Sequence, residues 1–264
     1  MRSSVAIFLV FCLCSCSALD PADETKDWSV AKLYSEAKSR LDSGDYEKAI
    51  KFYEKLESRF PYGRYAQQAQ LEVAYAHFKY KEPASAIAAV ERFIKLHPNH
   101  ANVDYAYYLK GLVNFNDDLG FLGSYTGQDM TERDPKAARD AFEAFKDLTT
   151  RFPDSKYAKD SIQRMTYLVS SLASHEIHVA KYYMRRGAFV AAANRVQFAL
   201  KNYPQALSNE EGLLIMVNAY DKLGMTDLRN DAERVMKTNF PNSKYLTGKG
   251  LDKPWWTFWQ LWNQ

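Results

Sequence analysis

The sequence predicts an all-α protein, a right-handed solenoid of five helix-turn-helix repeats. Three observations carry that expectation. A proline-closed phrase recurs along the chain, as Arg59-Phe60-Pro61, Leu96-His97-Pro98, Arg151-Phe152-Pro153, Asn202-Tyr203-Pro204 and Asn239-Phe240-Pro241. Apolar residues stand at helical spacing ahead of the prolines, and a short turn phrase separates the helices of a pair.

Pro61 to Pro98 and Pro204 to Pro241 are each 37 residues, close to the period of about 34 of tetratricopeptide repeats. The other two gaps are longer by about half a repeat. The sets Ala49, Tyr53, Leu56; Ala86, Val90, Phe93; Ala141, Phe145, Leu148; and Ala192, Val196, Ala199 follow spacings of four and three, which puts each set on one helix face. The small alanine lets paired helices approach, and the larger residues fill the gap to the next repeat. Gly44-Asp45-Tyr46-Glu47-Lys48-Ala49-Ile50 matches the tetratricopeptide turn and second-helix start, with Gly44 placed to end the first helix. Lys81-Glu82-Pro83 and Arg186-Gly187-Ala188-Phe189 fill the same slot. Each closing proline disfavours helix at the residue before it and stops the second helix. First helices are expected at about 30–42, 65–79, 101–115, 158–185 and 209–223. The fifth repeat departs from the pattern, with Arg229 where the small residue belongs and Ala232 three residues later, as suits a terminal unit with one solvated face.

Outside the repeats (28–247) lie three segments. Residues 1–15 read as a secretory signal, with Arg2 before the apolar run Val5 to Leu13. That run is too short for a hydrocarbon core, which needs about 20 helical residues. Leu13-Cys14-Ser15-Cys16 resembles the bacterial lipobox, so Cys16 is the expected lipidation site and the mature N-terminus. On that reading Cys12 and Cys14 leave with the signal. Residues 16–27 are polar, contain Pro21, and suit a flexible tether. Residues 248–264 carry Trp255, Trp256, Trp259 and Trp262 beside Phe258; such a tail could lie among lipid headgroups, dock on a partner, or cover the last repeat. Within the third repeat, an insertion from Asn116 to Asp134 holds three glycines with Phe121 and Leu122, either a partner contact or a loop folded back on its own repeat.

The remaining composition argues against catalysis. With 35 basic and 32 acidic residues the net charge is +3, no surplus for screening phosphates, so nucleic acid is not an expected partner. His175 and His178, in His175-Glu176-Ile177-His178, could chelate, but no third ligand is evident. No nucleophile-base arrangement or glycine-rich phosphate loop is present. Catalytic residues, metal and cofactor are therefore all expected to be absent. The 18 tyrosines are a different signal. Tyr62, Tyr65, Tyr75, Tyr105 and Tyr108, with Tyr107, fall in the first three repeats; tyrosine on the concave face of a solenoid suits an extended peptide, although inter-repeat packing accounts for at least half of them.

Taken with the lipobox and the repeats, the stretches Arg92-Phe93-Ile94-Lys95-Leu96-His97-Pro98, Asn102-Val103-Asp104-Tyr105, Gly111-Leu112, Glu132-Arg133-Asp134-Pro135, and Tyr182 to Val190 followed by Asn194-Arg195-Val196 resemble the BamD family of lipoproteins in the outer-membrane β-barrel assembly machine. The resemblance runs from about residue 16 to 246. It implies a non-catalytic scaffold, lipid-anchored at the periplasmic face of the outer membrane, whose C-terminal repeats bind a POTRA domain of BamA and whose N-terminal repeats receive unfolded outer-membrane protein segments. In some bacteria BamC and BamE are further partners. The family arginine matching Arg195 is implied as a salt-bridge partner for an acidic BamA residue. The tryptophan tail lies outside the family pattern, so its role is not inherited. The alternative is another envelope adaptor of this repeat type, such as the Tol-Pal coordinator, which shares the Pro-x-Ser-x-Tyr-Ala phrase but lacks a lipobox and carries a coiled coil.

Overall fold

A computed structural model of the chain describes residues 23–115 and 135–246. Among these residues it is all-helical: α1 (Val30–Asp42), α2 (Tyr46–Arg59), α3 (Arg64–Lys79), α4 (Pro83–Leu96), α5 (Val103–Asn114), α6 (Pro135–Arg151), α7 (Ala158–Arg185), α8 (Phe189–Asn202), α9 (Asn209–Lys222) and α10 (Thr226–Asn239). These are the alternating first and second helices of tetratricopeptide-like repeats, and the five first helices begin and end within two residues of the expected bounds. The chain divides into two compact units at Tyr80/Lys81, between the two helices of the second repeat.

In the N-terminal unit, α1 packs on α2, α2 on α3, and α1 also touches α3. Ser29 caps α1 by accepting from the Lys32 amide, and Asp45 does the same for α2 at Lys48, each satisfying a helix-end amide with no partner inside its own helix. Leu33, Ala37, Ala49, Tyr53 and Leu56 form the core. Placing a tyrosine in this row buries a hydroxyl that finds no hydrogen-bond partner, and burial raises its pKa. The described end of the tether is docked. Asp23 accepts from Lys55 and Arg59 of α2 and from the Thr25 hydroxyl, Thr25 is buried, and Trp28 stacks on Phe52 with ring centroids 5.8 Å apart.

In the C-terminal unit each helix from α4 to α10 packs on the next, and α7 also packs on α9. The sets Ala86/Val90/Phe93, Ala141/Phe145/Leu148 and Ala192/Val196/Ala199 are fully buried, so the four-and-three spacing marked the core face of α4, α6 and α8. In α10 the row reduces to Ala232 and Met236, while Arg229 turns aside to Asp221 at 3.1 Å. Two glycines set the closeness of the packing. A Cβ on Gly111 of α5 would stand 2.3 Å from the Phe145 ring, and one on Gly212 of α9 would stand 2.7 Å from Ile177 Cδ1; the first meets a rigid ring and the second the end of a flexible side chain.

The turn between paired helices takes a left-handed residue at the expected slot. Gly44 and Gly187 have φ of +81° and +73°, and Lys81 adopts +65° in the same place, a conformation that a residue with a Cβ disfavours. The alike phrases after the third and fifth prolines build alike turns. Ser155 and Ser243 each donate a backbone N–H to the phenylalanine carbonyl three residues back at 3.0 Å, and Lys156 and Lys244 lie over the rings of Tyr157 and Tyr245 at 5.0 and 5.1 Å. At the first proline, Gly63 at φ +93° replaces that serine.

Candidate functional site

The α7–α8 hairpin combines a dry inner face with an unusual ionic pair. Gly187 closes α7: the Ala188 amide donates to the Tyr183 carbonyl at 3.0 Å and the Gly187 amide to Met184 at 3.1 Å, the paired bonds of a glycine-terminated helix. α8 then runs back along α7 with Ala192, Val196 and Ala199 inward, and Gly212 brings α9 against Ile177 and Val196.

Beside that face, Arg195 Nη1 donates to Glu176 Oε2 of α7 at 3.0 Å; the glutamate side chain is 6% exposed and the arginine side chain 44%. The pair thus runs from the interior to the surface. Burial works to lower the pKa of Arg195, but the Glu176 carboxylate and a hydrogen bond with Tyr183 outweigh it and the net shift is upward. The same hairpin also exposes apolar and aromatic side chains: Val190 and Phe198 of α8 are 54% and 44% exposed, and Tyr182 of α7, under the Arg186 guanidinium, is 44% exposed. A half-exposed arginine held by a buried carboxylate, on a hairpin that also exposes apolar and aromatic side chains, supplies residue types that are enriched at protein-binding hot spots.

The sequence-predicted residues meet different fates. Arg195 lies beside the Ala192/Val196/Ala199 stripe and has a partner inside the chain, Glu176. Tyr62 is 90% exposed between α2 and α3. In the same unit Tyr65 packs on Tyr34 with centroids 5.3 Å apart, and Tyr75 lies near Phe78. In the C-terminal unit, Tyr108 donates its hydroxyl to Asp160 at 2.7 Å and stacks on Tyr157 at 4.6 Å, and Tyr105 is 5.4 Å from the same Tyr157 ring. Those two tyrosines therefore serve the α5–α7 packing, the alternative weighed from the sequence. Cys16, Phe121, Leu122, Trp255, Trp256, Trp259 and Trp262 lie outside the described residues. His175 and His178 are half-buried on α7, and no group of three metal-ligating side chains occurs among the described residues.

Glu176 is the functional candidate that sequence reasoning missed, having been read only as part of the histidine pair. Its signal was present: Leu172, Ala173, Ile177 and Ala180 surround it on the buried stripe of α7, so helical spacing already put a carboxylate in the core.

Comparison with known proteins agrees with the fold and extends it. The family model YfiO, described as outer membrane lipoprotein, matches residues 26–236. The chain is 49% identical to the outer membrane protein assembly factor BamD of Neisseria meningitidis serogroup A over 97% of its length and 98% of the relative's. It is 48% identical to the same factor of Neisseria gonorrhoeae over the same shares, and 36% identical to that of Xylella fastidiosa strain 9a5c over 93% of its length and 83% of the relative's.

Proposed function

The chain belongs to the BamD family of outer membrane protein assembly factors, and from that premise we propose that it is a non-catalytic scaffold of the machine that folds and inserts outer-membrane β-barrels. Its C-terminal repeats bind a POTRA domain of BamA through the surface around Arg195, and its N-terminal repeats receive unfolded outer-membrane protein segments. BamC and BamE are accessory partners where the machine includes them. The chain is anchored to the periplasmic face of the outer membrane by acyl chains on Cys16, at least two of which are needed for stable attachment.

One observation carries the BamA assignment: Arg195, the residue that matches the family arginine, keeps 44% of its side chain exposed while its Nη1 is held on the buried Glu176. The docking of Asp23 supports the anchor. With Asp23 fixed to α2, only residues 17–22 separate the proposed acyl cysteine from the fold, and the seven extended steps from Cys16 to Asp23 reach about 24 Å. The N-terminal unit is then held close to the bilayer surface.

The test is photo-crosslinking in the cell envelope, with the crosslinking residue at Phe198 and a control at Ile162 of α7, which is at least as exposed. Capture of BamA from Phe198 but not Ile162 is the expected result. Capture of Tol-Pal components, or of no barrel protein from either position, would overturn the reading. Loss of acyl labelling in Cys16→Ala checks the anchor separately.

A further inference from the structure

The ionic pair stands at slots that carry no charge in the other repeats compared. Arg195 lies nine residues before its closing proline, a slot held by Phe52, Ala89, Ala144 and Ala232 in the other repeats. Glu176 lies eleven residues before the left-handed turn residue Gly187. The corresponding slots before Gly44 and Gly224 hold Leu33 and Leu213, both buried, and the one before Lys81 holds Gln70. In the first repeat the two slots are therefore Leu33 and Phe52, and in the fifth Leu213 and Ala232. The same hairpin closes without charge, so the fold does not require Glu176 and Arg195.

Burying a carboxylate costs desolvation that a single ion pair only roughly repays, and apolar replacements of buried pairs are often neutral or stabilising. A pair retained against that gradient has another use. Arg195 cannot swing away to a partner without stranding a buried charge, so its inner edge stays on Glu176. Guanidinium carries five N–H donors in a rigid fork; with Nη1 on Glu176 at 3.0 Å and a further hydrogen bond with Tyr183, donors remain on a side chain that is 44% exposed.

We propose that Glu176 is a positioning residue for partner binding. It fixes the Arg195 fork so that the outer edge is presented, already oriented, to a carboxylate on the docking protein. This rests on the reading of Arg195 as the BamA contact. The rotamer freedom of a long side chain is then lost on folding instead of on association, which favours binding. The glutamate also neutralises most of the arginine's field, so recognition depends on geometry more than on long-range attraction.

Three variants test this, each measured by thermal unfolding and by affinity for a purified fragment of BamA containing its POTRA domains. Glu176→Gln keeps the shape and a neutral acceptor; it is expected to fold and to bind about fivefold more weakly. Arg195→Ala strands the carboxylate and is expected to melt below wild type. Glu176→Leu combined with Arg195→Ala recreates the apolar pair of the fifth repeat; it is expected to melt at or above wild type while binding at least about thirtyfold more weakly. Unchanged or tighter binding by Glu176→Gln, with the double variant still defective, would reduce Glu176 to a counter-ion and overturn the proposal. Wild-type binding by the well-folded double variant would instead overturn the assignment of Arg195 to the interface. A double variant that melts far below wild type would show that the fold needs the pair, and would also overturn the proposal.

Discussion

The third and fourth repeats solve one packing problem in two ways. Between α5 and α6 the contact is a glycine beneath an aromatic ring: Gly111 makes room for Phe145, which is fully buried with Ala141 and Leu148. Between α7 and α8 the row is Ala192, Val196 and Ala199, smaller at its second and third positions, and beside it the Glu176–Arg195 pair replaces apolar surface. The first arrangement is optimised for burial. The second gives up burial at one slot to bring a charged group to the surface on a buried partner, and on the proposed reading it is the partner-binding region.

The comparison can be broken first at its apolar side. Phe145→Ala removes a buried ring whose pocket is shaped around Gly111, and is expected to cost about 4 kcal/mol in chemical denaturation. Gly111→Ala is next at about 3 kcal/mol, because the added methyl meets a rigid ring. On the other side of the comparison, Gly212→Ala on α9, where that helix packs against the α7–α8 hairpin, meets the flexible tip of Ile177 and is expected to cost about 1 kcal/mol. Equal losses at Gly111 and Gly212 would mean that the two interfaces yield alike, against the distinction drawn above.

Acid sharpens the comparison at polar sites. Lys55 and Thr25 hold the Asp23 carboxyl well below its ordinary value of 3.8. For Asp160, burial pushes upward, but hydrogen bonds from Arg164 and Tyr108 outweigh it and the carboxyl is again lowered. A carboxyl depressed in the folded state contributes stability that is present above its unfolded pKa and lost as pH falls through the folded value. Both contacts are therefore intact at pH 6 and weaken below about pH 4. Release of the Trp28 indole from Phe52, followed by its NMR signal on lowering the pH, checks the Asp23 contact. The smallest effect is expected at the turn slot: Lys81→Gly relieves a left-handed lysine at φ +65° and should gain about 0.5 kcal/mol after the entropy cost of glycine.

The repeat grammar made most of the fold readable. Prolines, left-handed turn residues and four-and-three spacing located the helices and the residues that are fully buried in α2, α4, α6 and α8, because all of these signals are local in the chain. What stayed hidden depends on contacts distant in sequence. The Asp23 contact with Lys55 and Arg59 was concealed in a polar segment that composition assigns to a tether. Gly111 carried no sign of the ring 34 residues away that requires it. Arg195 was identified, but as a group waiting for an external partner, since nothing in its own helix reveals Glu176.

The central claim concerns the place of Arg195 when the scaffold is engaged, and a structure of the chain bound to the POTRA fragment measures it directly. The account requires Nη1 to remain on Glu176 near its present 3.0 Å while a partner carboxylate occupies the outer edge of the same guanidinium. An Arg195 drawn off Glu176 in the complex, or one with no acidic partner group beside it, would contradict it.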